Sequence, residues 1–110
     1  MPEPLFQPPY YAVIFASVRR DGDDPDYAAT AARMVALAKT MPGYLGIESV
    51  HDPASREGIT VSYWRDLDSI TAWKAQVDHA EAQRHGRERW YDRYALRVAR
   101  VEREYDFTRR

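Results

Sequence analysis

The 110-residue sequence contains no cysteine. That absence excludes disulfides, thiolate nucleophiles and cysteine-ligated metals, and it fits a reducing compartment, so a cytoplasmic location is expected. Long apolar runs are also missing: nothing approaches the roughly 20 residues of a membrane-spanning helix. The first nine residues, Met1-Pro2-Glu3-Pro4-Leu5-Phe6-Gln7-Pro8-Pro9, lack the charged start and apolar stretch of a signal peptide. Nor does one sign of charge dominate, with 16 basic against 17 acidic residues. Without a long-range basic field, neither nucleic acid nor a membrane is an expected partner. Nucleotide-binding glycine loops are absent, and Ser17, Ser49 and Ser62 stand in strand-like segments without a nucleophile elbow. His79, Glu81 and His85 lack the helical spacing of zinc hydrolases, so no metal site is expected.

What is present is an alternation of strand and helix patterns. Tyr10 to Val18 is β-branched and aromatic in both registers, with Tyr11, Val13 and Phe15 on one side and Ala12, Ile14 and Val18 on the other. Asp24 before Pro25 predicts a capped helix start. From there Tyr27, Ala31, Met34, Ala38 and Met41 form one apolar stripe as far as Pro42-Gly43. Tyr44 to Val50 and Ile59 to Trp64 alternate as a hairpin pair across a turn-rich linker. Asp66 is placed to cap a second helix whose inner face holds Ile70, Trp73, Val77 and Ala80, and Tyr94 to Tyr105 reads as a last strand.

The order strand, helix, strand, strand, helix, strand predicts a ferredoxin-like βαββαβ α+β domain, with both helices on one face of a four-stranded antiparallel sheet. It should span residues 10–107, after an extended arm over 1–9 and before a short tail at 108–110. Strand one is central in this arrangement, so its second apolar row would face water in a monomer. A homodimer through the sheet face opposite the helices removes that exposure. A tail or arm folding over the bare face is the competing explanation, but the short polar ends look too small for it. Charge is unevenly spread: nine arginines stand against six acids from His79 onward, and seven basic against eleven acidic residues before it. The later part is either a solvated surface or a basic rim facing an anionic ligand.

Tyr11-Ala12-Val13-Ile14-Phe15, Met41-Pro42-Gly43-Tyr44-Leu45-Gly46-Ile47-Glu48, Gly58-Ile59-Thr60-Val61-Ser62-Tyr63-Trp64 and Ala72-Trp73-Lys74 with His79 resemble the antibiotic biosynthesis monooxygenase family of dimeric α+β barrels. The resemblance covers nearly all of Tyr10 to Phe107. It implies a small monooxygenase that acts without bound cofactor on an aromatic phenol- or quinone-type molecule between sheet and helices. A haem-degrading branch also exists, and it is associated with an Asn, a Trp and a His ligand; the cofactor-free branch is associated with a polar trio that includes Asn. The present sequence contains no Asn. A dimeric module that binds a small molecule without turnover, or serves stress metabolism, is the alternative.

Histidine is the natural proton acceptor near neutral pH. His79, six residues past Trp73, is the expected catalytic residue, and its plain alternative is a helix-end histidine near the last carbonyls. His51 and His85 read as surface residues. Trp64, Trp73 and Trp90 with Tyr63 and Tyr91 offer flat apolar area for a ring to stack on, although the same spacing suits ordinary core packing. Glu48 and Arg87 are the candidates to pair with or orient an acidic phenol; as surface residues they would form only a weak ion pair.

Overall fold

A computed structural model describes residues 2–22, 25–82 and 89–109. The chain runs β1 (Tyr10–Arg19), α1 (Pro25–Thr40), β2 (Tyr44–His51), β3 (Glu57–Trp64), α2 (Leu67–Ala82) and β4 (Tyr91–Val101). All strands pair antiparallel in the order β2-β3-β1-β4. This is the ferredoxin-like βαββαβ arrangement.

Local chemistry explains the boundaries. Helix α1 stops ahead of Pro42-Gly43, where the Met41 N–H donates to the Ala38 carbonyl at 3.0 Å and Gly43 adopts φ of 84°. A side chain at Gly43 would strain that backbone and overlap the Ser69 hydroxyl. Helix α2 begins at a cap: an Asp66 carboxylate oxygen accepts from the Ser69 N–H at 2.8 Å and from its hydroxyl at 2.6 Å. These bonds hold the Asp66 carboxyl below its ordinary range. Asp24, the expected cap of α1, lies outside the described residues, as do Arg87 and the stretch from residue 83 to 88.

On the helix side of the sheet, Val13, Ala38, Trp64 and Ile70 form the core, with Tyr11, Met41, Tyr44, Trp73 and Leu96 against them. Burying aliphatic side chains of this size stabilises by about 1.5–3 kcal/mol each. Trp64 is fully enclosed, with 0% of its surface exposed.

Strand β4 starts at Tyr91, ahead of the expected Tyr94, and ends at Val101, short of the expected Tyr105. At its start, the β1–β4 register shifts between Val18 and Arg19, so Val18 faces Arg93 but Arg19 faces Tyr91. The bulge absorbs the polar stretch that breaks the alternation. At its end, Glu104 accepts hydrogen bonds from the Phe6 N–H (3.0 Å) and the Tyr10 hydroxyl (2.8 Å). The chain there serves the N-terminal arm instead of a ladder.

Residues 2–9 fold back over one end of the sheet face opposite the helices. The Glu3 N–H donates to Glu48 at 2.8 Å, and the Glu3 carboxylate accepts from the Ile47 N–H at 2.9 Å. Phe6 packs on Tyr10 and Tyr63, with ring centres 5.3 and 5.6 Å apart. Small as it is, the arm therefore covers part of the face, against the expectation that it is too short to do so: the part next to Tyr10, Gly46 and Tyr63. Beyond it, Ile59 and Val50 remain 47% and 67% exposed.

Candidate functional site

A cavity of about 360 Å³ lies between the helix-side face of the sheet and the two helices. Its size is within the usual range of small-molecule pockets. The floor follows from strand alternation: Val13, Phe15 and Ser17 of β1 pair with Ser62, Thr60 and Gly58 of β3, and all six line the cavity. Ile47, Ser49 and His51 extend it across β2. The roof is Tyr27, Ala31, Met34 and Val35 from α1 with Trp73 and Val77 from α2, and Trp90, Tyr91 and Leu96 close the β4 side. Among the described residues the lining holds hydroxyls, one arginine and one histidine, and no carboxylate.

Several of these groups are fixed by their neighbours. The Ser49 and Thr60 hydroxyls lie 2.8 Å apart, and Ser62 accepts from the Trp64 indole N–H at 2.8 Å. Tyr27 meets the rings of Trp90 and Tyr91 edge-on at 6.2 and 6.0 Å, and the two tyrosine hydroxyls are 3.4 Å apart. An ion pair between Asp26 and Arg89, at 3.0 Å, ties the start of α1 to the segment before β4. The Trp73 indole N–H is buried and finds no acceptor among the described residues.

The sequence-based candidates separate into three groups. Trp73, Trp90 and Tyr91 line the cavity. Trp64 does not: it sits on the same helix-side face at the end of β3, fully buried as a core residue 5.2 Å from the Trp73 ring and 5.7 Å from Tyr44. Tyr63 and Glu48 do not line it either, because alternation turns both to the opposite face. There the Tyr63 hydroxyl donates to Glu48 at 2.5 Å beneath the arm. Burial, reinforced by Glu48, raises the Tyr63 phenol well above its ordinary pKa, and burial with Glu104 raises that of Tyr10 to about 12. The His79 side chain and Arg87 lie outside the described residues. Arg19, Tyr27 and His51 line the cavity, although the sequence alone does not mark Arg19, gives Tyr27 only as part of the apolar stripe of α1, and suggests a surface position for His51. His51 is indeed exposed, yet it borders the opening. Alternation along β1 is the signal that reaches Arg19, since it shares the odd-numbered row with Val13, Phe15 and Ser17.

Comparison with known proteins agrees with this architecture. The chain is 51% identical over 98 residues to the uncharacterized protein YqjZ of Bacillus subtilis, a match taking in 89% of this chain and 84% of that one. It is 30% identical over 94 residues to the jasmonate monooxygenase ABM of Pyricularia oryzae, covering 83% of this chain and 43% of that longer protein. Among solved structures, a mutant form of SnoaB, a cofactor-independent oxygenase from Streptomyces nogalater, superposes with a TM-score of 0.67 at 15% identity, over 86% of this chain and 95% of that one. A dimeric ferredoxin-like protein of unknown function from Thermobifida fusca gives 0.63 at 14% identity, over 92% and 100%. Residues 9–85 match the family model described as antibiotic biosynthesis monooxygenase. With a match of that extent and a relative at half identity, the chain belongs to the antibiotic biosynthesis monooxygenase family.

Proposed function

We propose that the protein is a monooxygenase that oxidises a small aromatic, phenol- or anthrone-type substrate in the helix-side cavity without a bound organic cofactor. The observation that carries this reading is the cavity's make-up: aromatic and aliphatic walls around a hydroxyl floor, with a histidine at the opening. The oxygenase activities named for SnoaB and for the Pyricularia protein support it. Such a substrate supplies its own electrons. Loss of a proton gives an electron-rich anion that transfers electrons to dioxygen. One oxygen atom then ends on carbon and the other leaves as water with the two hydrogens that carbon gives up. A CH₂ group becomes C=O, and four electrons pass from carbon to O₂. The protein's part is to orient the ring, exclude water and accept the proton.

His51 is the proton acceptor in this scheme because its side chain borders the cavity. His79, two residues beyond Val77 in α2, competes for the role. Oxygen uptake by the purified protein with anthrone and naphthol probes tests the scheme. Uptake should match substrate loss one to one and should fall about 10²-fold or more in His51→Ala. The same fall in His79→Ala alone would move the role to that residue. Uptake no faster than in buffer would refute the oxygenase reading.

We further infer that two copies pack through the part of the opposite sheet face that the arm leaves open, around Ile14, Ala16, Val18, Ile59 and Val61. The dimeric relative from Thermobifida fusca supports this, as do the exposed Ile59 and Val50. Tyr105 and Phe107, beyond the end of β4 and both about four-fifths exposed, are further apolar groups that a partner would cover. Light scattering should give twice the chain mass for the parent protein and the single mass for Ile59→Lys. A monomeric parent would overturn this assembly.

A further inference from the structure

Arg19 is the last residue of β1, and strand alternation turns it toward the helices, where it lines the cavity beside Ser17. Its guanidinium carbon lies 3.7 Å from the centre of the Tyr27 ring. The ring holds the cation by its electron-rich face while leaving the N–H edge available. Among the described residues Arg19 forms no ion pair. The nearest acid in the pairing scheme has been moved aside. Were the β1–β4 register to continue from Val18 opposite Arg93, Asp92 would face Arg19. The bulge puts Tyr91 there instead, and the Asp92 carboxylate lies 3.5 Å from Arg56. Arg56 also donates to the Arg19 carbonyl at 2.9 Å, which fixes the end of the strand. Asp26, the acid next to Tyr27, is paired with Arg89. A cation thus borders an aromatic cavity whose lining, among the described residues, carries no counter-charge.

We propose that the cavity takes its ligand as an anion, a flat apolar ring body bearing one acidic oxygen group, with the Arg19 guanidinium as the counter-charge. This deepens the reading of the cavity as a substrate site by naming the substrate's charge. An acidic oxygen can accept from two guanidinium N–H groups at once, a geometry that an ammonium cannot reproduce. The ring body then extends along Phe15 toward Trp73, away from solvent. Arg19 acts here as a binding and specificity residue.

The test is binding measured without oxygen, so that it does not depend on turnover. Titrations of 2-naphthoate and of its neutral isostere 2-naphthamide, followed by calorimetry, compare the parent protein with Arg19→Gln, Arg19→Lys, Arg56→Gln and His51→Gln. The parent should bind the carboxylate at least about tenfold more tightly than the amide, the scale of one charge-assisted hydrogen bond. Arg19→Gln should lose that preference while keeping its affinity for the amide, which also shows that the variant is folded. Arg19→Lys should keep part of the preference, and Arg56→Gln and His51→Gln should keep all of it. Equal binding of the two probes by the parent, a preference that survives Arg19→Gln, a preference lost in His51→Gln instead, or no binding of either probe would each overturn the proposal. Failure of oxygen uptake with retained, Arg19-dependent naphthoate binding would refute the oxygenase reading alone.

Discussion

The two faces of the sheet use similar residues to opposite ends. On the face away from the helices, Tyr10, Tyr63, Glu3, Glu48 and Glu104 satisfy one another and the arm's backbone at 2.5–3.0 Å. The network is closed, with its phenols protonated and its carboxylates occupied. On the helix face, the tyrosines and tryptophans surround open space, and the cation there has no carboxylate beside it among the described residues. An aromatic residue next to an acid is therefore a lock when both find partners within the chain. It contributes to a site only where the fold leaves room and withholds the partner.

That contrast can be broken in steps. Trp64→Ala should do the most damage, because it empties the fully enclosed centre of the helix-side core. A loss of about 3–5 kcal/mol in urea unfolding is expected. Glu48→Ala attacks the other face by leaving the Tyr63 hydroxyl and the Glu3 N–H without their acceptor. It should cost about 1–3 kcal/mol and leave naphthoate affinity unchanged, since Glu48 itself does not line the cavity. A change in that affinity would show that the faces are coupled.

The alkaline limb of the stability profile gives a smaller effect. Tyr10 has its folded pKa raised to about 12 against an ordinary 10, so the folded state holds the proton more tightly than the unfolded state. The stabilisation is fully present below pH 10 and is lost as the pH rises toward 12. Denaturant midpoints measured across that window should fall in the parent and fall less steeply in Tyr10→Phe. The smallest effect belongs to Trp73→Phe. It removes an indole N–H that has no acceptor among the described residues, so unfolding should shift by about 1 kcal/mol or less. Trp64→Phe, which forfeits the bond to Ser62, should cost more.

Element order, the hairpin, the Asp66 cap and the apolar stripe of α1 are all legible in the sequence, because each is a local rule: period two, period three to four, or a capping oxygen before a helix. The ends of β4 are not. Its start depends on a bulge against β1 and its end on Glu104 reaching back to Phe6 and Tyr10, both contacts across most of the chain. For the site, the alternation that groups Trp64 with Thr60 and Ser62 also turns Tyr63 away, so grouping Tyr63 with the cavity residues sets composition above geometry. That Trp64 ends enclosed in the core and not in the cavity wall cannot be read from its position alone, since it depends on Trp73 and Tyr44 closing over it. Arg19 is hidden for another reason: beside Arg20, Asp21 and Gly22 it reads as a turn, and only its packing on Tyr27 marks it as part of a wall.

Strand β1 has a consequence for how the chain can change over time. Its odd-numbered residues from 11 to 19 and its even-numbered residues from 10 to 18 form two separate alphabets on one backbone. Mutations at 15, 17 or 19 edit what the cavity accepts, and mutations at 14, 16 or 18 edit what the other surface touches. A population of such chains can therefore diversify its chemistry and its associations independently. A single inserted or deleted residue within the strand would exchange the two alphabets at once and is the kind of change that this lineage should tolerate least.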